Sequence, residues 1–151
     1  MSNETVTRRR FTQIGCTVLL AISTSPLAMA QQPPANPPGP QVKVTEVPPA
    51  GGGKDRTDAI AGTVSGVKAK DCQIVIFSKT DQWYVQPLVD TPFTDIDDEG
   101  KWDADIHLGA EYAVFLIKRG AGYKPPATTK RLPKVEGAVL AMALVKAKKA
   151  E

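Results

Sequence analysis

Thirteen prolines and twelve glycines cut this chain of 151 residues into short pieces, and that punctuation excludes a helical bundle. Both residues break helix interiors, proline by removing a donor and glycine by its backbone entropy. Strands of four to eight residues tolerate such spacing, because each needs only a turn at either end. No apolar stretch reaches the roughly 18 to 20 residues that span a bilayer, which excludes a multi-pass membrane protein. With 42% hydrophobic and 23% charged residues the chain is not globally disordered.

The first thirty residues read as an address. Arg8, Arg9 and Arg10 precede Phe11, an apolar stretch runs from Ile14 to Ile22, and the segment closes on Ala28-Met29-Ala30. That order gives the charged region, apolar region and small-residue cleavage site of an export signal, with cleavage expected after Ala30. Thr7-Arg8-Arg9-Arg10-Phe11 further resembles the twin-arginine export motif, and the modest apolar region suits that route. Cys16 stands at the start of the apolar run, without the leucine a lipoprotein signal needs three places earlier, so no membrane anchor is expected after cleavage. The mature chain would be periplasmic or secreted and would keep only Cys72, which excludes an internal disulfide.

Residues 31 to 54 hold seven prolines and four glycines and read as an extended linker, in which Val42-Lys43-Val44 is the one strand-like piece. From Asp55 to Glu151 the pattern becomes periodic. Ile60 to Val67, Gln73 to Ser78, Gln82 to Val89, Thr94 to Ile96, Lys101 to Leu108, Glu111 to Ile117 and Ala138 to Val145 are each bounded by turn residues. Seven such runs describe an all-β sandwich, and the runs apolar on both faces describe central strands. The best-specified turn is Asp97-Asp98-Glu99-Gly100, a type I turn closed by a left-handed glycine. After it, Trp102, Ala104, Ile106 and Leu108 should face the core, and Asp103, Asp105 and His107 the solvent. The last run favours helix by its alanines and leucines, but a sandwich of this size needs it as a closing strand.

Gly62-Thr63-Val64-Ser65-Gly66, Thr94-Asp95 with Gly100-Lys101-Trp102, Gly109-Ala110-Glu111-Tyr112 and Gly122-Tyr123 occur in an order that resembles the carboxypeptidase-regulatory-like, or transthyretin-like (prealbumin), β-sandwiches. The match runs over about residues 59 to 147 and rests on turn glycines and core aromatics. It implies a seven-stranded Greek-key sandwich, preceded here by a disordered signal and Pro-rich linker, and usually an accessory module of a secreted protein. The hydroxyisourate-hydrolysing branch uses several histidines and a C-terminal Tyr-Arg-Gly-Ser; this chain has one histidine and ends in Lys148-Lys149-Ala150-Glu151.

Catalytic machinery is sparse. The mature chain has two serines, and Ser65 sits one place late for a nucleophile elbow. Cys72 and His107 would make a dyad only if the fold joined them. No catalytic residue, cofactor or metal ligand is expected, although Asp95, Asp97, Glu99 and Asp103 alternate like the start of a calcium loop. Counting twelve from Asp95 gives Ile106 where an EF-hand needs glutamate, which favours a solvated acidic hairpin. The binding candidates are Trp83, Tyr84 and Gln86, since aromatics with polar tips beside an amide suit the apolar face and hydroxyls of a sugar. If Trp83 faces the core, Tyr84 and Gln86 face outward.

Charge divides by position. Residues 90 to 105 hold seven acids and one lysine, whereas 118 to 149 hold nine basic residues and Glu136. The formal +3 belongs mostly to the signal; from Asp55 to Glu151 there are fourteen charges of each sign. With no binding motif and no net basicity, nucleic acid is not an expected partner. The expected function is that of an exported, non-catalytic binding module for envelope or extracellular carbohydrate; the alternative is an adaptor that docks onto another exported protein.

Overall fold

A computed structural model describes residues 38–53 and 55–149 of the chain. The segment read as an export signal, with the cleavage expected after Ala30, and the first part of the stretch read as linker lie outside the described residues. The rest is an all-β sandwich of two antiparallel sheets. Its strands are β1 (Gln41–Glu46), β2 (Thr57–Ser65), β3 (Cys72–Lys79), β4 (Trp83–Gln86), β5 (Phe93–Thr94), β6 (Lys101–His107), β7 (Glu111–Lys118), β8 (Thr128–Thr129) and β9 (Val139–Lys146). Seven of these have four or more residues. Among the described residues no helix is long and apolar enough to cross a membrane.

The smaller sheet runs β1-β2-β6 and the larger β8-β4-β3-β7-β9, with β5 on the free part of β3. The sandwich thus starts inside the stretch read as linker. Gln41 to Val44 pair with Ser65 to Gly62, and Val42 and Val44 pack on the core. The prolines that suggested a spacer flank this strand without interrupting it, so its alternating valines are free to pair. Gly62 in β2 is required for the approach of β1: a Cβ there would lie 2.1 Å from the Lys43 carbonyl oxygen and 2.4 Å from the Trp102 ring.

The two long central strands explain the double-sided apolar runs. On β3 and β7, Cys72, Ile74, Ile76, Tyr112, Val114 and Leu116 face the smaller sheet, meeting Ile60, Trp102 and Ile106. Val75, Phe77, Ala113, Phe115 and Ile117 face the other way and are covered by the chain between β7 and β9, through Tyr123, Leu132 and Ala138. Phe77 and Phe115 pack edge to face at 5.7 Å. A sheet covered on both sides needs apolar residues at consecutive positions, and this one has them.

The turn before β6 forms as its residues demand. The Asp97 side chain accepts the Glu99 and Lys101 amides through Oδ1, and Gly100 takes φ of +78°. On β6, Trp102 and Ile106 are buried and Asp103 and Asp105 exposed. The closing segment is strand β9, paired with β7 from Glu111 opposite Lys146 to Ile117 opposite Val139. Near its last residues it lies beside Tyr112, whose hydroxyl accepts the Gly109 amide at 3.0 Å and donates to the Pro49 carbonyl at 3.1 Å. Such a tyrosine corner ties a sandwich at the start of a central strand.

Candidate functional site

The functional candidates sit on β4, whose register with β3 decides where each one points. Lys79 stands opposite Trp83, Ser78 opposite Tyr84, Phe77 opposite Val85 and Ile76 opposite Gln86. Residues opposite one another share a face of the sheet. Trp83 is therefore on the Phe77 side, 6% exposed within the outer core cluster, with the Lys79 ammonium 5.4 Å from its ring centroid. Tyr84 and Gln86 take the opposite side, the one toward the smaller sheet. That side is not open solvent: Gln86 is only 4% exposed. Because both faces of this sheet are covered, alternation along β4 separates two interiors rather than core from water.

Beyond the end of β6 the smaller sheet stops covering β4, and a cavity of about 500 Å³ remains there. Tyr84, Gln86, Ser78 and His107 line it, together with Leu108 and the aliphatic pair Leu88-Val89 that follows the cis Gln86–Pro87 peptide. Leu88 and Val89 are 59% and 61% exposed, so the mouth carries an apolar rim. The size falls within the range typical of small-molecule sites, about 300 to 1,000 Å³.

The polar chemistry of this cavity is fixed by one amide. Gln86 Oε1 lies 3.0 Å from the His107 backbone nitrogen and 3.0 Å from His107 Nδ1. A backbone N–H can only donate, so the atom facing it must be the amide oxygen and not the NH₂. The same oxygen holds no hydrogen, so His107 Nδ1 must donate to it. Gln86 Nε2, turned away from His107, has no hydrogen-bond partner among the described residues and remains a donor.

Tyr84 is held at the wall from its tip. Its hydroxyl donates to Asp81 Oδ1 at 3.0 Å and accepts Gln82 Nε2 at 3.3 Å. Hydrogen bonds from the Thr80 and Tyr84 hydroxyls hold the Asp81 carboxyl below its ordinary pKa. The ring is thereby oriented by groups outside the cavity.

Other candidates are answered within the chain. Asp95 accepts Arg119 Nη2 at 2.7 Å, Asp97 accepts its own turn amides, and Glu99 pairs with Lys101. Among the described residues no three His, Cys, Asp or Glu side chains gather as metal ligands. The acidic and basic stretches meet at the Asp95–Arg119 pair. Cys72 opens β3, whereas His107 bonds the residue opposite Ile76, four residue steps or about 13 Å further along the strand. The fold does not bring this thiol and imidazole together.

Sequence reasoning found Tyr84 and Gln86 but not Ser78, Leu108 or the cavity role of His107. The available signal was Leu88-Val89, two aliphatic residues following a proline in a polar connection, where a loop would normally be hydrophilic. Fold and site together define an all-β sandwich with a ligand-sized cavity at one end of its sheets. Neither a protein-family model nor a curated protein matches this sequence.

Proposed function

We propose that this chain is an exported, non-catalytic accessory module of the transthyretin-like kind, acting in the periplasm or outside the cell, and that its end cavity binds carbohydrate. The observation that carries this reading is the buried Gln86 amide, held rigidly by His107 with its Nε2 donor uncommitted on a largely apolar cavity. A preset amide donor beside an aromatic ring and aliphatic walls suits a pyranose, which has apolar faces and hydroxyl edges. Tyr84 and Gln86 make the contacts, and Trp83 supports β4 from behind. Ser78, Thr80 and Thr128 also line the wall. The test is a titration of the ¹⁵N-labelled mature chain with soluble oligosaccharides. Shifts confined to β4, His107 and the 87–92 connection are expected, and none with any glycan would sink the reading.

A second reading, the adaptor, has its own observation. Strand β9 is at a sheet edge, carries no charge before Lys146, and exposes Met142 and Leu144. Sheet edges without charge or proline invite pairing with another chain. Cross-linking in the native compartment that captures a protein through β9, with Leu144→Lys abolishing capture, would favour it.

A further inference from the structure

We propose that the outer face of the larger sheet docks peripherally on an anionic lipid surface; this goes beyond the carbohydrate reading and does not rest on it. Strand register fixes which side chains share that face, since residues opposite one another point the same way. On β9, Leu144 stands opposite Ala113 and Met142 opposite Phe115, and on β5 Phe93 stands opposite Val75. Ala113, Phe115 and Val75 belong to the outer core cluster, which the chain between β7 and β9 roofs through Tyr123, Leu132 and Ala138. Tyr84 and Gln86, at the cavity, point to the other side of the same sheet.

The roof is cationic. Between Gly120 and Ala138 it carries Lys124, Lys130, Arg131 and Lys134, all exposed, against the one acid Glu136. Lys146 adds a charge on the outer face of β9, where the opposite residue, Glu111, is already bonded to Lys79 at 3.0 Å. Among the described residues no salt bridge takes any of these five cations. The same side carries exposed apolar groups. Phe93 lies at one margin of the roofed area, Met142 and Leu144 at the other, and Val135 on the roof itself. The other two large exposed apolar side chains, Leu88 and Val89, rim the cavity.

Cations set among exposed apolar side chains suit a bilayer interface, where charge meets anionic headgroups and apolar groups enter the acyl boundary. A soluble polyanion would engage the cations alone and leave Phe93, Met142 and Leu144 in water. The opposite outer face of the sandwich, on the smaller sheet, presents Asp103 and Asp105. An anionic surface repels that face and attracts the roofed one, so the charge separation sets which side docks.

The experiment sediments a chain produced from Gln31 onward with vesicles of phosphatidylglycerol and phosphatidylcholine in equal parts, or of phosphatidylcholine alone. Partition onto the anionic vesicles should be at least about tenfold stronger, and most of it should be lost in about 0.5 M salt. Each cation near such a surface is worth roughly fivefold in partition, so Lys130→Gln with Arg131→Gln should lose at least about tenfold. Met142→Ser with Leu144→Ser should lose at least about threefold on vesicles and nothing on soluble polyphosphate. Equal partition onto the two vesicles, or none onto either, overturns the proposal and leaves carbohydrate binding, tested by glycan titration, untouched. Wild-type partition in either double variant also overturns it. Wild-type partition in the β9 variant together with tight polyphosphate binding would assign the cations to a soluble polyanion instead. All four substituted residues are exposed, so melting midpoints should not move; if a variant does not fold, the two vesicles compared on the wild-type chain decide.

Discussion

Gln86 Oε1 accepts two hydrogen bonds from one residue, His107, through its backbone nitrogen and its ring Nδ1, each at 3.0 Å. Gln86 belongs to the larger sheet and His107 to the end of β6 in the smaller, so this oxygen ties the two layers where the sandwich opens. The same tie positions the cavity's amide donor. The binding proposed for this cavity would therefore rest on a residue that also holds the two layers together.

Gln86→Ala should lower the unfolding free energy by about 1 to 3 kcal/mol, because it leaves the His107 amide without its partner and opens a space beside Ile76. Urea denaturation followed by tryptophan fluorescence measures this, since Trp83 and Trp102 are both buried. An unchanged midpoint would mean that water replaces Gln86 at no cost.

Tyr112→Phe isolates the corner next to the cavity, where Ser78 stands between Tyr84 and Tyr112 in the sheet. The hydroxyl bonds the Gly109 amide and the Pro49 carbonyl, groups 63 residues of chain apart from the tyrosine in the second case. Removing it should cost about 1 to 3 kcal/mol, chiefly through the buried Gly109 N–H that is left unpaired. Burial also raises the Tyr112 pKa, outweighing the opposing hydrogen bond with Gly109. A raised tyrosine contributes stability below the ordinary phenol pKa and loses it as pH climbs through the folded value. The gap between wild type and Tyr112→Phe should therefore narrow in strongly alkaline buffer, as read from paired thermal melts.

How much was legible depended on whether a residue's surroundings were local. Strands β3 and β7 declared themselves through unbroken apolar runs, and the Asp97–Gly100 turn through a side chain that bonds amides two and four places on. Strand β1 showed only as the strand-like Val42-Lys43-Val44 inside an apparent spacer, because prolines flank it on both sides and its pairing with β2 is a long-range fact. On β4, the alternation correctly separated Trp83 from Tyr84 and Gln86, yet it could not tell that both sides are interior. His107 read as solvated because its partner lies 21 residues away on the other sheet.

Asp81 gives a second pH-dependent prediction, of opposite sign. Hydrogen bonds from the Thr80 and Tyr84 hydroxyls depress its carboxyl. A depressed carboxyl contributes stability above its unfolded pKa and loses it as pH falls through the folded value. Wild type and Asp81→Asn should differ in the ring signals of Tyr84 at neutral pH and converge below the ordinary carboxylate range. Identical Tyr84 spectra at neutral pH would show that Asp81 does not orient the ring.

Cys72 supplies the sharpest check on the core. The thiol is 3% exposed and packs with Ile74, Ile96 and Leu116 on the inner face. Burial raises its pKa, Asp71 adds to the rise, and Arg119 and Lys118 oppose it. Since the thiolate is the reactive form, a raised pKa and a covered sulfur both slow alkylation. A chain produced from Gln31 onward lacks Cys16, so iodoacetamide labelling read by mass reports Cys72 alone. At neutral pH the native protein should label only as fast as it unfolds, and a chaotrope should make labelling rapid. The thiol's contribution to stability is present below the ordinary thiol pKa and declines as pH rises through the folded value. Fast labelling of the native protein at neutral pH, without any loss of structure, would require β3 to open at Cys72 and would contradict the packing described here.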